Sequence, residues 1–148
     1  MKYTVVLLLA PATIFAGPQA ADKKTDLDRL QGHWMMHEST RDGKKIDSKK
    51  IKMERMIEGN TYTLRVESEA GDQVVRGTIS IDPGKEPKTI DVMRSEGPDK
   101  GKPMLGIYEL KGDTQKVCLG PPGKDRPSEF VSKPGSGNVL TIWQRKAP

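Results

Sequence analysis

From Thr61 onward the chain alternates apolar and polar residues in short runs, each cut by Gly, Pro or Asp. Tyr62, Leu64 and Val66 share one face of a strand over residues 61–67, because side chains two apart project the same way. The second half repeats the pattern between the turns Gly97-Pro98-Asp99-Lys100-Gly101, Lys111-Gly112-Asp113, Gly120-Pro121-Pro122-Gly123 and Lys133-Pro134-Gly135-Ser136-Gly137. Strands at that spacing, with no long helical pattern between them, predict an antiparallel barrel or sandwich. The predicted strands are residues 33–39, 53–57, 61–67, 73–81, 89–94, 104–110, 114–119 and 139–145. Eight strands are enough to close a barrel with room for side chains or one small ligand. Leu27 and Leu30 predict a short helical turn that plugs one end. The stretch from Ile46 to Met56 is ambiguous, reading as a short helix or as an exposed loop running into a strand.

The first residues carry a different pattern. Lys2 precedes the apolar run Val5-Val6-Leu7-Leu8-Leu9-Ala10, Pro11 interrupts it, and residues 12–15 resume it before the small residues Ala16, Gly17, Ala20 and Ala21. This is the order of a secretory signal peptide, and the run is shorter than the roughly 20 apolar residues of a spanning helix. Residues 1–21 are therefore expected to be a signal peptide. Residues 22–148 would form one exported domain, periplasmic or extracellular, with no integral membrane segment. Removing residues 1–21 takes 14 apolar residues and leaves 36, and the formal charge of +5 loses only Lys2. The domain core is lean, which suits strands that bury one face.

Little in the chain suggests catalysis or metal chemistry. The single cysteine, Cys118, lies in the apolar run Val117-Cys118-Leu119 and reads as a buried structural thiol. The two histidines, His33 and His37, flank Met35 on one face of the first strand, a soft-metal pattern suited to copper. With Trp34 pointing inward that face is solvated, so no metal site is expected there. No nucleophile-elbow pattern accompanies the serines. Gly120 to Asp125 lacks the spacing of a phosphate loop, and its prolines remove backbone donors. Asp91, Glu96 and Asp99 form a carboxylate pair only if the fold gathers them. Lys44, Lys45, Lys49, Lys50, Lys52 and Arg55 make a basic segment that reads as a solvated face, or as a salt-sensitive contact for an anionic polymer, lipid headgroups or an acidic partner. It has no interleaved aromatic residue for stacking, so nucleic acid is not expected.

Several segments together resemble one family. They are Leu30-Gln31-Gly32-His33-Trp34, Lys88-Thr89-Ile90-Asp91, Glu96 to Lys102, Leu105 to Leu110, Val117-Cys118-Leu119, Pro122 to Pro127 and Lys133 to Gly137. In this order they resemble the lipocalin-like domain family expanded in planctomycete bacteria, most members of which have no assigned function. The resemblance covers about residues 27–145. It implies an all-β, lipocalin-like antiparallel barrel that is usually exported and is not an enzyme, and it supplies no catalytic residues. It also implies that Trp34 packs at the closed end of the barrel with Arg145 lying across it.

These observations lead to an exported, monomeric, non-enzymatic barrel without cofactor or catalytic residues, binding a small amphipathic ligand. A cavity lined by residues such as Leu64, Val66, Ile79, Ile107 and Tyr108 would support that reading. The alternative is a cell-envelope interaction module whose barrel is filled by its own side chains and whose basic segment meets the partner.

Overall fold

The computed structural model of the protein describes residues 24–147. The signal peptide expected over residues 1–21 lies outside the described residues. A short helix, α1 (Asp26–Leu30), precedes nine strands: β1 (Gly32–Arg41), β2 (Lys44–Lys45), β3 (Ile51–Glu58), β4 (Thr61–Ser68), β5 (Gln73–Asp82), β6 (Thr89–Arg94), β7 (Pro103–Lys111), β8 (Thr114–Leu119) and β9 (Val139–Arg145). Each strand from β3 to β8 pairs antiparallel with the next, and β1 pairs with both β3 and β9. Eight strands thus close an antiparallel barrel, with β2 as a two-residue hairpin arm on the end of β1. No helix among the described residues is long and apolar enough to cross a membrane.

The ambiguous stretch resolves into two parts. Residues 47–50 form a turn in which Asp47 O accepts from the amides of Lys50 and Ile51. The strand then starts at Ile51.

Period-two alternation sets the interior. Paired residues face the same side, so the register places Trp34, Met36, Arg55, Ile57, Tyr62, Leu64, Val75, Gly77, Ile79, Ile90, Val92, Tyr108, Val117 and Trp143 inward. A register shift between Met36 and Glu38 makes His37 an extra residue, and the inward parity moves to Ser39. Ser39 and Thr141 then share a buried hydrogen bond at 3.0 Å.

α1 closes one end of the barrel. Thr25 caps it, with Asp28 N–H donating to Thr25 Oγ1 and Thr25 N–H donating back to the Asp28 carboxylate. The helix stops where Gln31 turns extended and Gly32 takes φ +98°, a backbone conformation that suits glycine. Gln31 is clamped to the β3–β4 turn, its side chain donating to Gly59 O and accepting from Gly59 N–H. Leu30 and Trp34 are fully buried, and Trp34 Nε1 donates to Leu30 O at 2.8 Å. Burying side chains of this size contributes about 1.5–3 kcal/mol each.

The opposite end is rimmed by residues 120–138, which connect β8 to β9. This loop also folds back over the outside of the sheet. Arg126 Nη1 donates to Gly106 O and the Asp91 carboxylate, both at 2.7 Å, and Cys118 Sγ lies 3.6 Å from Val131 O. Ile107 and Cys118, both on the outer face, are buried as a result.

Candidate functional site

The barrel interior is not filled. A deep compartment of about 90 Å³ is lined by Arg55, Tyr62, Ile79, Ile90, Val92 and Val117, among others. A second compartment of about 320 Å³ opens at the loop end, bounded by Arg41, Met53, Asp99, Gly120, Pro121 and Gly137. Leu64, Arg94, Met104, Leu119, Thr141 and Trp143 line both. The outer volume alone lies within the roughly 300–1,000 Å³ range of small-molecule pockets.

The walls are mainly apolar and the charges are few. Arg41, Arg55 and Arg94 face the two compartments, opposed by the single carboxylate of Asp99. Asp99 lies 3.5 Å from Arg94 and 3.9 Å from Lys102. Arg55 belongs to none of the ion pairs among the described residues. Its guanidinium stands 4.4 Å over the centre of the Trp143 ring and donates to Gln115 Oε1. Burial pushes Arg55 down to about 9, against a weaker upward pull from Tyr62, so it remains cationic at neutral pH. Burial raises the Tyr62 hydroxyl, and the charges of Arg94 and Arg55 act against that rise.

The closed end holds a second arginine–tryptophan pair, the one implied by the family resemblance. Arg145 lies 4.3 Å over the Trp34 ring. It donates to Gln31 O at 2.6 Å and to Arg29 O, and its Nε lies 3.1 Å from the Asp113 carboxylate. Beside it, the Asp26 carboxylate accepts from Lys88 Nζ at 2.8 Å and from the Tyr108 hydroxyl at 2.9 Å.

Several sequence expectations change. Leu64 and Ile79 do line the deep compartment, and Val66 faces inward without being part of its wall. Ile107 faces outward under the 120–138 loop, because neighbouring strand residues alternate and Tyr108 takes the inward position. Tyr108 belongs to the closed end, where its hydroxyl reaches Asp26. Arg55 leaves the basic segment for the interior, while Lys44, Lys45, Lys49, Lys50 and Lys52 stay exposed.

The carboxylates considered together in the sequence are separated. Asp91 pairs with Arg126, Glu96 with Arg76 and Asp99 with Arg94. His33 and His37 are both exposed. Among the described residues no three His, Cys, Asp or Glu side chains gather as a metal site. Cys118 is fully buried, and burial raises its thiol despite the bond to Val131 O. Such a thiol holds less of its reactive thiolate than an exposed one.

Sequence reasoning missed Arg55 as a site residue. The alternation Ile51, Met53, Arg55, Ile57 against Lys52, Glu54, Met56, Glu58 was the available signal. No protein-family model matches the chain, and no curated protein sequence matches it.

Proposed function

We propose that this protein is an exported, non-enzymatic carrier that binds a small amphipathic ligand inside its barrel. The observation that carries the reading is the apolar-walled cavity, open at the loop end, with the Arg55 guanidinium, in no ion pair among the described residues, across its deep part. Apolar walls with a few placed polar groups are the usual make-up of a small-molecule site. A barrel filled by its own side chains, which the interaction-module alternative called for, does not match that space. The exposed lysines of residues 44–52 remain an outer surface beside the mouth rather than the centre of the function.

The test is native mass spectrometry of the protein purified from its own host. A stoichiometric organic adduct on a monomer supports the carrier. A bare protein that also takes up no amphiphile in titration overturns it.

A further inference from the structure

Three buried side-chain nitrogens among the described residues have no hydrogen-bond partner: Arg55 Nε, Arg94 Nε and Gln115 Nε2. Arg55 and Arg94 line the deep compartment, and Gln115 is joined to Arg55 through its Oε1. All three orphans are donors. A guanidinium donates only, and the free end of the Gln115 amide donates too, so the missing group is an acceptor. Buried polar groups are nearly always satisfied, so unmet donors on the two arginines that line the compartment call for a partner.

The charge balance narrows that partner. Asp99 answers Arg94 from the rim, whereas Arg55 has no counter-charge among the described residues. One negative charge neutralises the deep compartment, and a dianion would exceed it. Beyond Arg55 the walls are mainly apolar, Leu64, Ile79, Val92, Met104 and Leu119 among them, with Tyr62, Arg94 and Thr141 as the polar exceptions.

Building on the carrier reading, we infer that Arg55, positioned by Gln115, is the head-group subsite for an amphipathic monocarboxylate. It binds head-inward, with Arg94 beside the carboxylate and the apolar tail directed toward the mouth. The carboxylate accepts from the Arg55 guanidinium, a charge-assisted contact for which its planar fork is suited, while Gln115 holds that guanidinium in place from behind through its Oε1. The carboxylate and Trp143 then hold the guanidinium between them.

The test is calorimetric titration of the purified protein, stripped of bound ligand on a hydrophobic resin, with octanoate, octan-1-ol and octyltrimethylammonium. Wild type is expected to bind octanoate about tenfold or more tighter than octan-1-ol, and the ammonium most weakly. Arg55→Met should erase that preference while octan-1-ol binding persists, which shows that the cavity is intact. Arg55→Lys should restore it in part. Gln115→Leu should weaken octanoate alone, and it carries the same test if Arg55→Met does not fold. Equal binding of octanoate and octan-1-ol by wild type overturns the head-group assignment and leaves the carrier reading standing. Binding of none of the three overturns both.

Discussion

Arg55 lies 4.4 Å over the ring of Trp143 with no carboxylate to answer its charge among the described residues. Arg145 lies over Trp34 at nearly the same spacing, 4.3 Å, but donates to two helix-end carbonyls and faces Asp113. The two pairs share a geometry and differ in what surrounds the guanidinium. Arg145 is satisfied and its work is structural. Arg55 is not, and removing it should have the opposite effect on stability.

The double variant Arg55→Met, Gln115→Leu removes the buried cation and two of the three orphaned donors while roughly keeping volume. Replacing buried polar groups with well-packed apolar ones can stabilise by about 1–4 kcal/mol. We expect the urea midpoint of the ligand-free protein to rise and its slope to stay unchanged. A fall in the midpoint would show that Arg55 is satisfied within the barrel.

Arg145→Ala should do the reverse. It removes a cation–π contact and charge-assisted bonds that tie β9 to the end of α1, together worth about 2–4 kcal/mol. Equilibrium unfolding measures the loss. A change below about 0.5 kcal/mol, ordinary for a surface site, would mean that the closed end does not depend on this latch.

The Asp26 cluster contributes to the pH dependence on both limbs. Burial pushes the Asp26 carboxyl up, but Lys88, Tyr108 and Arg29 outweigh it and hold its pKa below the ordinary 3.8. A lowered acid stabilises the fold above its unfolded pKa, and the contribution is lost as pH falls through the folded value. Burial and Asp26 raise Tyr108 well above the ordinary 10.0. That contribution is complete below about pH 10 and is lost as pH climbs through the folded value. Asp26→Asn should therefore flatten the acid limb of a thermal-stability profile, and Tyr108→Phe the alkaline limb. Unchanged limbs in both variants would assign the pH dependence to other groups.

Gly77 faces inward, where a Cβ would sit 2.0 Å from Met93 O and 2.7 Å from the Tyr62 ring. Gly77→Ala must therefore move backbone as well as an aromatic side chain, at a cost of about 1–3 kcal/mol. The melting temperature should fall accordingly. Tyr62→Leu should relieve only the ring contact and recover part of the loss.

The strands were legible because turns interrupt them and because one face is apolar. The same logic reached α1, whereas the Trp34–Arg145 contact was expected only from the family resemblance. It failed where both neighbours are apolar, as at Ile107 and Tyr108, since alternation then gives no sign of which one points inward. The outer burial of Ile107 depends on the 120–138 loop folding back, a tertiary event with no local signature. Arg55 was hidden for another reason. Its lysine neighbours made a charge run more conspicuous than the alternation beneath it. The His37 bulge likewise left no composition mark, because one extra residue changes facing and not content.

The seam between β1 and β9 joins residues 32–41 to residues 139–145, with Trp34 opposite Arg145. Native closure therefore requires contacts between nearly opposite ends of the described chain, a high-contact-order step for which local turns cannot substitute. The β3–β8 hairpins can form early, but the barrel has two unpaired edges until the final strand docks. For a chain proposed to be exported, such a late-closing seam keeps the polypeptide threadable for as long as its last strand is withheld. The strand that completes the fold also ends that window.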